Sequence, residues 1–174
     1  MFTLKQCVLS CIVLLVGSAV FSQYHTDWRS DIDLVIQESD SLSLKSQKTF
    51  SLIKPYHADK DIRETWYYTV KDGRVVIFEI RYVVDSMEYS EIYYVHKGRL
   101  ICMEQYEAPY LSLYADQLKW GEAYFFQDES LRQYTITGKP RPTPSSGLWA
   151  TQTGSLSKFQ QRFAELQRHM KYLR

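Results

Sequence analysis

The chain has 174 residues, with 21 lysines and arginines against 20 aspartates and glutamates, and a formal net charge of +1. This near-neutral balance excludes a dedicated nucleic-acid-binding protein, which would carry a basic footprint. Aromatic residues make up 15% of the chain, and because Tyr and Phe favour pleated, half-buried surfaces they indicate a β-rich domain.

The first 22 residues predict a secretory signal peptide. Lys5 lies in a short basic region, residues 7–21 are almost wholly apolar, and Val20-Phe21-Ser22 offers a small-residue cleavage site. A permanent membrane anchor needs roughly 20 apolar residues, and this run is shorter. We therefore expect cleavage after residue 22 and export, either to the periplasm or out of the cell. A lipoprotein signal at Cys11 is the alternative, but most of the apolar run follows that residue.

Residues 23–174 are then expected to form a single α+β domain. Removing residues 1–22 removes one lysine and no acid, which leaves 20 basic and 20 acidic residues. Cys102 becomes the only cysteine, so the domain has no internal disulfide and depends on its core for stability. The apolar neighbours of Cys102 predict that it is buried in a strand.

A helix is predicted over residues 27–38, with Thr26 as its N-cap and Asp27 in its first turn. Its apolar residues recur on one face: Trp28, Ile32, Val35 and Ile36. The serine-rich run that ends at Ser46 predicts a loop. Residues 48–57 predict an edge strand, because Pro55 suits only an edge or an end.

The body of the domain is predicted to be an antiparallel β-meander over residues 64–137. Three similar segments each contain an aromatic strand, a polar turn and an apolar strand; the turns are Lys71-Asp72-Gly73, His96-Lys97-Gly98 and Gln127-Asp128-Glu129. These three hairpins and the edge strand give six or seven strands. One face is expected to pack against both terminal helices and to include Val76, Phe78, Ile80, Tyr82 and Val84.

Two connections and a helix complete the prediction. Residues 107–119 are expected to form a structured loop, and the Pro/Gly/Ser-rich residues 138–153 a long loop that Trp149 pins to the body. A C-terminal helix is predicted over residues 157–173, where Ser157 and Gln160 form a capping box. Its apolar stripe is expected to pack on the sheet: Phe159, Phe163, Leu166, Met170 and Leu173. Its basic side is read as a solvated face, with contact to anionic lipid or polysaccharide as the alternative.

No catalytic, metal or cofactor motif occurs in the chain. The four histidines form no metal-binding pair, one cysteine cannot build a zinc site, and no glycine-rich phosphate loop or GxSxG is present. We therefore predict no catalytic residues, no metal and no cofactor. Glutamates do occur in the strands: Glu79, Glu88, Glu91, Glu104, Glu107 and Glu122. A facing pair could hydrolyse a glycan, although nearby arginines favour cross-strand ion pairs instead.

Aromatic side chains supply the candidate ligand-binding residues, because tyrosine offers flat contact area and a hydroxyl at low entropic cost. They are Tyr89, Tyr93, Tyr106, Tyr110, Tyr114 and Trp149. The leading prediction is a non-enzymatic secreted or envelope binding module, whose partner is a protein or a polysaccharide. The alternatives are a small glycan hydrolase that uses paired glutamates and a structural subunit that assembles through a sheet edge.

The hairpin pattern also carries a family resemblance. Trp66-Tyr67-Tyr68 followed by Asp72-Gly73-Arg74-Val75 recurs as Ile92-Tyr93-Tyr94 followed by Lys97-Gly98-Arg99-Leu100, and a long helix ends the chain. This resembles small exported β-meander proteins of Gram-negative bacteria and is distantly similar to MORN-type hairpin repeats. The third hairpin departs from the pattern, with Glu129-Ser130 in place of Gly-Arg. The resemblance implies a meander fold and an envelope location, and it implies no activity.

Overall fold

The computed structural model describes residues 27–57, 60–110, 118–138 and 147–172, with the backbone alone at residues 57, 147–151 and 172. The predicted signal peptide, Tyr114 and the side chain of Trp149 lie outside what is described. The elements are α1 (Trp28–Ser46), β1 (Lys48–His57), β2 (Lys60–Lys71), β3 (Arg74–Val84), β4 (Met87–His96), β5 (Arg99–Pro109), β6 (Trp120–Gln127), β7 (Ser130–Gly138) and α2 (Gly147–Tyr172). Neither of these described helices is long and apolar enough to cross a membrane.

The strands form one seven-stranded antiparallel sheet in which each strand pairs with the next, in the order β1 to β7. This confirms the predicted α+β meander. It also places β1 at an edge, as Pro55 requires. Every connection between neighbouring strands is local, so the hairpin signals in the sequence were sufficient to give the topology.

Three tight turns close the β2–β3, β4–β5 and β6–β7 hairpins. Each has two consecutive residues at positive φ, as in Asp72 (51°) and Gly73 (75°), and the third uses Asp128 (49°) and Glu129 (63°). Positive φ at both central positions is the mark of a type I′ turn, which matches the twist of the paired strands. The third hairpin thus keeps the turn of the first two although it lacks their glycine.

A register shift next to each of these turns changes which residues are buried. In the first hairpin it falls between Thr69 and Val70, and it recurs at Tyr94/Val95 and Phe125/Phe126. An extra residue in one strand reverses the alternation beyond it. Val75 therefore joins the core beside Phe78, and the prediction that Val76 belongs to the buried face was wrong.

The core lies between α2 and one face of the sheet, called here the α2 face. Its centre holds fully buried Trp66, Phe78 and Tyr93 from the strands and Phe159 and Leu166 from α2. The rings pack closely, with the centroids of Phe78 and Tyr93 4.5 Å apart. Phe163 and Met170 pack against this core as well. The predicted apolar stripe is confirmed at the four positions that the structure describes.

The second half of α1 contacts the opposite face of the sheet. The Tyr94 hydroxyl donates to Asp40 at 3.1 Å, and Lys71 pairs with Glu38. Tyr94 pairs with Ile77 across β3 and β4, on the face away from Phe78. The expectation that both helices cover one face was therefore wrong, because each face of the middle strands carries enough apolar side chains to bury one helix.

Both helices are longer than the sequence predicted. α1 continues through the serine-rich run to Ser46, and its serine hydroxyls bond carbonyls one turn earlier: Ser39 donates to Val35 at 2.8 Å and Ser46 to Leu42 at 3.0 Å. At its start Asp27 accepts the Arg29 backbone N–H at 3.3 Å, and Thr26, the predicted N-cap, lies outside the described residues.

α2 begins at Gly147 instead of residue 157, so the second half of the predicted 138–153 loop is helical. The Gln152 amide fixes this first part of the helix to the third hairpin. It accepts from the Leu131 backbone N–H at 3.2 Å and donates to the Glu129 carbonyl at 3.3 Å. These tertiary hydrogen bonds outweigh the low helix propensity of Gly154 and its threonine neighbours.

Candidate functional site

Six charged side chains form a network between α2 and the sheet, named here the charge cluster. They are Lys54, Glu64, Glu91, Lys158, Arg162 and Glu165. Arg162 is at the centre, with Nη1 2.9 Å from Glu64 and Nε 3.2 Å from Glu91. Lys54 bridges Glu64 at 2.8 Å and Glu165 at 2.7 Å, and Lys158 lies 2.8 Å from Glu91.

The two central carboxylates are almost completely enclosed. The side chains of Glu64 and Glu91 are each 3% exposed. Burial alone would raise the pKa of Glu91, but the charges of Lys158 and Arg162 outweigh it and hold that pKa below the ordinary value. Burial likewise works against the charge of Arg162, and its two carboxylate partners raise its pKa nonetheless. Glu91 is therefore held as a carboxylate and Arg162 as a cation.

The hydrogen-bonding capacity of these carboxylates is also taken up. Tyr93 donates to Glu91 at 2.8 Å, Tyr82 donates to it at 3.3 Å, and the Trp66 indole donates to Glu64 at 3.1 Å. Burial raises the pKa of the Tyr93 hydroxyl, and the adjacent Glu91 charge raises it further. A cluster with every partner in place holds α2 on the sheet.

The structure bears directly on the glutamates considered for glycan hydrolysis. Glu91 lies opposite Gln105 and Ile92 opposite Glu104 in the β4–β5 register, so Glu91 and Glu104 project to opposite faces of the sheet. Glu122 shares the α2 face but accepts from the Tyr124 and Tyr134 hydroxyls. Two carboxyls on opposite faces cannot flank one glycosidic bond.

The predicted ligand-binding aromatics do not come together as one surface. Tyr93 is fully buried in the core. Tyr106 projects to the α1 side, where its hydroxyl donates to Glu104 at 2.6 Å. Tyr110 is 43% exposed at the end of β5, and Tyr89 stacks on Tyr82 with ring centroids 5.3 Å apart.

Tyr89 borders a cavity of about 250 Å³, named here the tyrosine pocket. Its aromatic side chains come from several strands: Tyr56, Tyr82, Tyr89 and Trp120. Glu91 and Lys158 also reach it, but both are engaged in the charge cluster. Small-molecule sites usually measure about 300–1,000 Å³, so this pocket is small, and its charged groups already have partners.

A larger cavity of about 610 Å³ lies where the tips of the first two hairpins meet the C-terminal half of α2. We name it the tip groove. It is lined by Gly73, Arg74, Val75, Lys97, Gly98, Phe163, Gln167, Met170 and Lys171. The apolar side chains belong to or pack against the core, whereas Arg74, Lys97 and Lys171 are exposed.

The described charged residues that line the tip groove are all positive. Its described lining contains three cationic residues and no carboxylate. Arg74 pairs across the first hairpin with Lys71, which contacts Glu38 of α1, so the Arg74 side chain projects to the α1 side. Lys97 and Lys171 are therefore the cations of the groove.

Among the described residues, Arg74, Lys97 and Lys171 make no ion pair, while other surface cations such as Lys71 and Arg99 do. The groove therefore combines an apolar floor with a positive rim, which suits a ligand that carries both a negative charge and an apolar group.

One feature of the sequence distinguishes the residues of this groove, but the predicted binding residues were the aromatic ones instead. Asp72 and Asp128 occupy the first central position of their turns, and the same position of the middle hairpin holds Lys97. A cation in place of a turn-favouring aspartate marks that hairpin tip as different. Lys171 belongs to the predicted basic side of the C-terminal helix, but Lys158 and Arg162 from the same set turn inward to the charge cluster.

No group of three or more potential metal-ligating side chains occurs within the described ranges. Comparison of the chain with family models, with curated proteins and with solved structures finds no match. The similarity of the hairpins to MORN-type repeats and to exported Gram-negative proteins therefore stays a prediction.

Proposed function

We propose that this protein is a non-enzymatic binding module and that its ligand occupies the tip groove. The observation that carries the proposal is a pair of cations, Lys97 and Lys171, with no carboxylate partner in the described part of the chain, beside a cavity with an apolar floor. Exposed charges that repel one another destabilise a fold slightly, so their concentration at one opening is better explained by a ligand than by stability. As part of the proposal, residues 1–22 direct export and the partner is met outside the cytoplasm.

The geometry favours binding over catalysis. The buried glutamates of the charge cluster are paired with cations, and Glu91 and Glu104 lie on opposite faces of the sheet. The described lining of the tip groove contains Lys and Arg residues, glycines, Gln167 and apolar groups, and it includes no Ser, Cys, His, Asp or Glu side chain of the kind that serves as nucleophile or base.

The first test is a thermal-unfolding screen of the full chain against glycans, peptides and amphiphiles, each in acidic and neutral forms. A ligand at 100 times its Kd adds about 2.7 kcal/mol to the free energy of unfolding, a shift of several degrees at this size. We expect acidic compounds to raise Tm while remaining chemically unchanged. The absence of any shift on a cooperatively folded sample, or turnover of a compound that does bind, would contradict the proposal.

A matched variant ties the binding to the groove. Lys97→Asp installs the residue that the other two turns already carry at positive φ, so the hairpin should be retained. Arg63→Glu, on the exposed α1 side of β2, makes a charge change of the same size away from the groove. Loss of the ligand-induced shift in the first variant and its retention in the second is the expected result.

A further inference from the structure

We infer that the ligand of the tip groove is the anion of a free fatty acid, with its carboxylate at the rim and its acyl chain on the floor. This inference rests on the proposed function and names the ligand class of the same site. It follows from the arrangement of charge, from the chemistry of the floor and from the size of the cavity.

The cations are arranged for one compact anion. Lys97 lies in the second of the three tight turns, and Lys171 comes from the last turn of α2. They approach the same opening from two separate elements instead of forming a line along one of them. A single head group can contact such a pair of charges, whereas an extended acidic peptide or polysaccharide needs a linear series.

The floor suits a flexible hydrocarbon. Val75, Phe163 and Met170 contribute aliphatic, aromatic and thioether surface. Methionine adapts its shape to irregular apolar groups, so this floor can follow the bends of an acyl chain. The volume of about 610 Å³ falls within the range of small-molecule sites.

The test is calorimetric titration of the full chain with acetate, hexanoate, octanoate and decanoate, and with neutral decanol. Each methylene group buried should tighten binding about fourfold, from the transfer free energy of a CH₂ group. Acetate should bind too weakly to measure, and decanol should bind at least about tenfold more weakly than decanoate because it lacks the charge-assisted hydrogen bonds. Added salt should weaken decanoate and leave decanol unchanged.

Variants of the cations test the contribution of the carboxylate head group separately from that of the acyl chain. Lys97→Asp combined with Lys171→Glu should weaken decanoate by about 100-fold, on the basis of about tenfold for each charge-assisted hydrogen bond that is removed. The same double variant should leave decanol within about twofold, since its chain still packs on the same floor. Arg63→Glu should leave decanoate unchanged, because Arg63 lies on the opposite face of the sheet.

Several outcomes would overturn the inference. Equal affinity for decanoate and decanol would show that the cations do not contribute to binding. Affinity that does not depend on chain length would show that the acyl chain does not lie on the apolar floor. If no amphiphile binds while an acidic peptide or glycan stabilises the chain and loses that effect with Lys97→Asp, the fatty-acid assignment fails and the binding function stands. If no compound of any class binds, both fail.

Discussion

The charge cluster predicts a large loss of stability when its central cation is removed. Replacing Arg162 by methionine keeps a long apolar side chain beside Trp66, over whose ring the guanidinium lies at 5.7 Å. It removes the positive charge that contacts both Glu64 and Glu91. Two carboxylates whose side chains are 3% exposed would then be left with one lysine each.

The magnitude follows from burial and from the partners that remain. Breaking a buried ion pair by removing one member costs about 3–5 kcal/mol, because the other charge is left uncompensated. Lys54 stays 2.8 Å from Glu64 and Lys158 stays 2.8 Å from Glu91, so we expect the lower end of that range. Arg162→Met should therefore lower the free energy of unfolding by about 3 kcal/mol at neutral pH.

The assay is urea-induced unfolding followed by tryptophan fluorescence, with the slope m checked so that a shifted midpoint reports stability. Arg168→Met on the same helix is the control, because Arg168 is exposed and lies outside the cluster; it should change stability by less than about 0.5 kcal/mol. Adding Glu64→Gln and Glu91→Gln to Arg162→Met should recover part of the loss. If Arg162→Met lowered the free energy of unfolding by less than about 1 kcal/mol, or if the triple variant were less stable than the single one, Arg162 would not be compensating the buried charges of Glu64 and Glu91.

Further predictions concern pH and two glycines. Because the folded pKa of Glu91 lies below its ordinary value of 4.5, its stabilising contribution is present above that pH and is lost as the pH falls below it, which acid titration of stability measures. The pKa of buried Tyr93 is raised, so its ultraviolet titration should be delayed beyond pH 10, and stability should fall as tyrosines of the unfolded chain ionise; a normal titration at pH 10 would contradict this. Gly154→Ala, in open space on α2, should raise stability by about 0.5–1 kcal/mol. Gly138→Ala should lower it by at least about 2 kcal/mol, because φ is +86° and the added Cβ would overlap the Lys119 carbonyl; urea unfolding that ranks the two glycine variants the other way would contradict both.

The sheet was predictable because its signals are local. Turn residues such as Asp72-Gly73 between alternating strands are enough to define a hairpin, and a meander needs no long-range pairing beyond neighbouring hairpins. The buried face was predicted less well, since the register shift at Thr69/Val70 exchanges Val76 for Val75 and leaves no mark on the hydrophobic pattern.

The extents of the helices depended on tertiary contacts. The second half of α1 is held by the sheet, where Asp40 accepts from the Tyr94 hydroxyl and Glu38 pairs with Lys71. The start of α2 is supported by the Gln152 side chain, whose partners lie more than 20 residues earlier in the chain. Contacts between residues so far apart in sequence have no periodic signature.

The residues that line the tip groove were not predicted from the sequence. A binding module was expected, but tyrosine content drew attention to Tyr93, which the structure places in the core. The cations of the tip groove come from one hairpin turn and from the end of α2, and they meet because α2 packs on the sheet. The sequence alone distinguishes Lys97 from its counterpart Asp72 without indicating which groups meet it in space.

Whether this protein binds its ligand in the tip groove can be measured residue by residue, from the amide NMR spectrum of the full chain titrated with decanoate. We expect chemical-shift changes to concentrate at Gly73, Gly98 and Lys171. Changes centred on Tyr89 and the tyrosine pocket, or no saturable change anywhere, would contradict binding in the groove.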